Sequence, residues 1–117
     1  MVSTFEFADH VVGVLIESNL NDELVHEVHG IILERLKENK KINLFLEIRK
    51  GSRISLAAFL KDLVFTLKHA NQFHKIALVT DLIWFQNVMA VKDLVMDAEI
   101  RSFSNKNRME AIIWIAQ

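Results

Sequence analysis

Five histidines, a spread of carboxylates and two serines beside basic residues are the groups in this chain that could do chemistry. His26 and His29 stand three residues apart in His26-Glu27-Val28-His29. A helical zinc-hydrolase site needs imidazoles at i and i+4 with a third ligand elsewhere, so this spacing does not fit it. His26 falls on the polar side of its helix and His29 at the border, which predicts two solvated surface histidines and no metal site. Asp62, Phe65 and His69 form a stripe with Ala58 on a second helix, since i, i+4, i+7 and i+11 share a face. Asp62 and His69 are then about 10 Å apart along the axis, too far for a direct acid–base couple.

The opposite face of that helix carries Leu56, Leu60, Leu63 and Leu67 and is expected to meet the core, leaving the Asp62/His69 stripe to a groove, a partner or solvent. Ser52 and Ser55 precede the helix, with Arg49, Lys50 and Arg53 beside them. A serine before Leu56-Ala57-Ala58-Phe59 is accounted for as an N-cap, and a helix N-terminus beside these cations would also favour a phosphate. Asp81, at a strand end, is the one acid placed as active-site acids often are, and a cap or turn role accounts for it as well.

No glycine-rich phosphate loop, no Gly-x-Ser-x-Gly elbow and no cysteine occurs, and Gly13, Gly30 and Gly51 are isolated. The expectation is a protein that binds rather than catalyses, without a cofactor. A formal net charge of -1 offers no basic field for a nucleic-acid backbone. The absence of cysteine removes disulfides and thiolate metal sites and suits a reducing compartment. The first ten residues do not read as a signal peptide, and no apolar run approaches the ~20 residues of a membrane span, so a cytoplasmic location is expected.

These side chains must be held by a framework. With 117 residues, 51% hydrophobic, no proline and three glycines, the chain predicts one domain over 1–117 without linkers. Val11 to Ile16, Ile42 to Ile48 and Lys75 to Thr80 read as buried strands, with Phe5 to Phe7 as an edge and Ala98 to Phe103 as the last strand. Asn21 caps a helix ending near Asn39; others run from Ser55 to about Gln72, from Trp84 to Met96, and from Asn105 through Trp114. That alternation predicts an α/β domain with a mostly parallel or mixed sheet of about five strands and about four helices. Val14, Leu44, Leu46, Leu60, Leu63, Ile76, Leu78 and Trp114 are the expected core.

The third helix is apolar over more than half its circumference, with only Gln86, Ala90, Asp93 and Asp97 in a narrower strip. Its excess apolar surface can be buried under neighbouring loops, in a homodimer contact, or over an apolar ligand. The ligand reading places Trp84, Phe85, Met89 and Phe65 in a groove at the C-terminal ends of the strands, with Asp62 and His69 beside it.

Asp62 and Phe65, then Lys68-His69, Phe73, Ile76-Ala77-Leu78-Val79-Thr80-Asp81, Trp84, Phe103, Ala111 and Trp114 form an ordered series that resembles the SpoIIAA-like branch of the STAS superfamily. The resemblance spans nearly the whole chain and is similar in outline to the lipid-transfer CRAL-TRIO fold. Two positions bear on it: Leu24 and Val25 replace an early acidic–aromatic pair, and Glu47 approximates a carboxylate at a strand end. It implies a STAS-like fold and a non-catalytic module. The partner it implies is an apolar small molecule or lipid, or alternatively a protein, as in the anti-sigma factor antagonists of the wider superfamily, whose phosphorylated serine makes Ser52 and Ser55 candidate phosphorylation sites here.

Overall fold

The computed structural model describes residues 2–5, 10–55, 58, 61, 62, 64, 65, 68–83, 86, 87 and 97–117. Strand β1 (Val2–Phe5) is followed by β2 (Val11–Ile16), helix α1 (Asp22–Leu36), β3 (Ile42–Ile48), β4 (Phe73–Val79), β5 (Glu99–Phe103) and helix α2 (Arg108–Ala116). Short 3₁₀ helices, Ala70–Gln72 and Asn105–Asn107, lead into β4 and α2. The strands lie side by side in chain order, β1-β2-β3-β4-β5. From β2 to β5 the pairing is parallel. Only residues 6–10 separate β1 from β2; a parallel crossover needs a dozen or more, so β1 turns back antiparallel, with Phe5 opposite Gly13.

The expected counts are corrected accordingly. The sheet is a parallel four-strand unit with an antiparallel edge, and two α-helices are continuous among the described residues where about four were expected. The described positions between 58 and 68 are helical, as are 83, 86 and 87. The edge strand begins at Val2, with residues 6 and 7 of the expected strand outside the described residues, and β4 opens at Phe73, two residues earlier than expected.

Alternation along β3 divides the core. Ile42, Leu44, Leu46 and Ile48 face a large cluster with Val25, Val28 and Ile32 of α1, Ala58, and Ile76 and Leu78 of β4. Phe45 faces the other way, joining Val11, Ala77, Val79, Ala111, Trp114 and Ile115 under α2. Both faces of β3 are buried, which its nearly unbroken apolar run dictates. Of the expected core, Val14, Leu44, Leu46, Ile76, Leu78 and Trp114 are buried, and Leu60 and Leu63 lie outside the described residues.

Two polar residues of β3 fix α2 at its ends. Buried Asn43 donates from Nδ2 to the Ile115 carbonyl at 3.0 Å, satisfying an acceptor in the last helical turn. At the other end, Arg108 Nε donates to Glu47 Oε1 at 2.5 Å; the carboxylate side chain is 8% exposed and the guanidinium 41%. The Trp114 ring has the Lys75 ammonium 5.3 Å from its centroid and the Arg101 guanidinium at 4.8 Å, with the Phe103 ring 6.2 Å away.

Candidate functional site

Helix α1 begins where the Asn21 side chain accepts from the Leu24 N–H at 3.0 Å, with Asp22 and Glu23 in the first turn favourable to its dipole. Once Val25, Val28 and Ile32 are committed to the sheet, His26, His29, Gly30 and Leu33 (i, i+3, i+4, i+7) fall on one flank. The helical positions described between 58 and 68 repeat that spacing with Lys61, Val64, Phe65 and Lys68. The two stripes, with His69, line a groove of about 600 Å³.

The floor of the groove is an aromatic stack. The His29 and Phe65 rings lie nearly parallel, 7° between planes and 3.8 Å between centroids, and His69 tilts against Phe65 at 4.6 Å. His29 Nε2 donates to Asp62 Oδ1 at 3.4 Å, and His69 Nδ1 donates to Gln72 Oε1 at 2.5 Å, since both acceptors are carbonyl-type oxygens. At the other end of the segment Lys61 Nζ reaches Asp22 Oδ2 at 2.7 Å and ties it to the start of α1. Leu33 and Val64 remain 42% and 66% exposed in the groove wall. Gly30 borders this groove and also a second one of about 500 Å³ on the far side of α1, where Glu27, Glu34, Arg35 and Glu38 gather. A Cβ built on Gly30 meets nothing within 4 Å.

Asp62, Phe65 and His69, expected together, are together, and His29 joins them. The expectation of a solvated His29 is corrected: its side chain is 12% exposed, held between Asp62 and Phe65. Periodicity placed it at a border, and the signal that could have decided it was the Asp62/Phe65 stripe on the facing segment. His26 is exposed, as expected. Ala58, assigned to the outward stripe, is fully buried, because the stripe starts in the core and rises along α1 toward the surface. Trp84, Phe85 and Met89, and with them most of the third helix, lie outside the described residues.

Ser55 accepts from the Ala58 N–H at 3.1 Å through Oγ, the cap geometry, while Ser52 is buried. Asp81 Oδ1 accepts from the Asn105 N–H at 3.0 Å and so ties the end of β4 to the start of the second 3₁₀ helix. The adjacent turn is made by Thr80, whose Oγ1 accepts from the Leu82 N–H. Among the described residues no three histidine or carboxylate side chains converge as metal ligands; His29 and Asp62 supply two donors already bonded to each other. What this arrangement can do is hold a molecule against an apolar floor with cationic and imidazole groups at its rim.

No helix among the described residues is long and apolar enough to cross a membrane. No curated protein matches the chain. In structure it is similar to an uncharacterized protein of the DUF3478 family with a SpoIIAA-like fold from Shewanella loihica PV-4, at 16% sequence identity and a TM-score of 0.72, covering 98% of this chain and 92% of that one. The family model described as SpoIIAA-like matches residues 11–116. With that match running from the first residue of β2 to the last of α2, the chain belongs to the SpoIIAA-like family.

Proposed function

We propose that this protein is a non-catalytic binding module that takes an apolar small molecule in the groove between α1 and the helical segment at 58–68. One observation carries the reading: Leu33 and Val64 leave large apolar side chains open to solvent in one concavity, over a floor built by Phe65 and His29. A volume of about 600 Å³ is in the range of small-molecule sites, which are mostly apolar with a few polar groups fixing orientation. The sequence-derived site residues Asp62, Phe65 and His69 keep their place in this reading, Asp62 as the group that orients His29. Trp84, Phe85 and Met89 remain candidates for the same ligand from the third helix.

Less supports a phospho-regulated protein-interaction module. Ser55 is exposed, but its hydroxyl caps Ala58, and buried Ser52 is not open to a kinase. Native mass spectrometry of the purified protein tests the reading directly. An adduct that disappears in the Val64→Asp variant is expected; ligand-free protein that also takes up no apolar compound from a screened mixture overturns it.

A further inference from the structure

The rim of the groove has a sign. Among its described lining residues none is acidic, while Lys61, Lys68 and His26 join the stacked floor residues His29, Phe65 and His69 in the lining. The two lysines are not equivalent. Lys61 is engaged with Asp22 at 2.7 Å, whereas Lys68 is exposed and has no ionic partner among the described residues. They stand seven residues apart, about 10 Å on a helix, with Val64 and Phe65 between them on the same stripe and Leu33 across the groove. An anion bound here therefore has one open anchor at one end, and apolar surface leads away from it toward a cation already neutralised. The His29–Asp62 bond keeps the nearby carboxylate turned to its imidazole, outside the groove lining.

We propose that the groove takes a single-chain amphipathic carboxylate, with its carboxylate on Lys68 and its hydrocarbon across Val64, Phe65 and Leu33. The assignment rests on the groove being the ligand site. A charge-assisted hydrogen bond supplies the head-group selectivity and apolar burial the remainder.

The test uses the full chain and two probes of equal length, decanoate and decanol, titrated below micelle formation and followed by amide chemical shifts at Leu33, Val64 and Phe65. Decanoate is expected to bind about tenfold more tightly than decanol, the scale of one hydrogen bond to a charged group. Lys68→Gln, at an exposed position, is expected to remove that preference while leaving decanol binding unchanged; Val64→Asp is expected to abolish both. Equal affinity for the two probes, or a preference that survives in Lys68→Gln, overturns the carboxylate assignment and leaves the groove as an apolar site. Failure of both probes to perturb these residues overturns the groove reading itself.

Discussion

The imidazole of His29 lies face to face with the ring of Phe65, centroids 3.8 Å apart, while its Nε2 points to the carboxylate of Asp62. Two contacts from a distant segment thus set the position of one side chain of α1. Ring current from Phe65 is expected to move the His29 carbon-bound ring protons upfield, and Phe65→Leu to return them toward free-histidine positions. A double-mutant cycle on the pair is expected to give about 0.5–1.5 kcal/mol of coupling.

Gly30 lowers the stability of α1 without a backbone contact that demands it. Its φ is not positive, and a Cβ there would enter open space. Gly30→Ala is expected to stabilise the protein by about 0.5–1 kcal/mol in denaturant unfolding. Gly30→Phe places a ring between the two grooves and is expected to suppress ligand binding while the fold persists.

The Glu47–Arg108 pair joins a buried carboxylate to a half-exposed guanidinium. Arg108→Met is expected to cost about 1–3 kcal/mol, because Glu47 then lacks that partner. Glu47→Gln in the same background is expected to recover part of the loss, which a cycle of urea-unfolding measurements reads as coupling of at least about 0.5 kcal/mol.

Asn43→Asp sets a carboxylate against the carbonyl of Ile115, where the amide now donates. The change replaces a hydrogen bond with repulsion at a buried site. It is expected to destabilise by about 2 kcal/mol or more, and hydrogen exchange is expected to show the amides of α2 opening first.

Gly51 holds φ at +91° in the turn after β3, where an L side chain is strained. Gly51→Ala is expected to cost about 1–2 kcal/mol, read as a lowered unfolding midpoint at unchanged denaturant slope.

The buried strands were legible because both faces of each are covered. Val11–Ile16 and Ile42–Ile48 carry nearly continuous apolar runs and have the bounds expected of them. β4 was less so at its start: exposed His74 interrupts the run, and Phe73 is recovered only by its pairing with Ile42. Edge strand β1 has no such run, so its register comes from β2 alone. At the end of α1, Asn39 marked the right neighbourhood for a specific reason. Its Nδ2 donates to the Arg35 carbonyl from beyond the helix, which itself stops at Leu36. In the site, one-helix periodicity grouped Asp62, Phe65 and His69. No periodicity within α1 could report that His29 faces them, because that contact depends on how two segments lie across the sheet.

The side-by-side order of the strands also sets a direction for assembly. Each parallel strand adds to the edge left by its predecessor, so β2, β3, β4 and β5 can be laid down in the order in which a ribosome delivers them. Every added strand pairs with the one synthesised just before it, while the turn after β2 waits for the segment after β3, where Leu20 shares backbone hydrogen bonds with Arg53 and Ser55. The face bearing Phe45 and Ala77 waits longer: α2 packs against it, and α2 follows all five strands. Until Arg108 reaches Glu47 and Ile115 reaches Asn43, a nascent chain carries that apolar face uncovered, which makes it the surface a chaperone would meet.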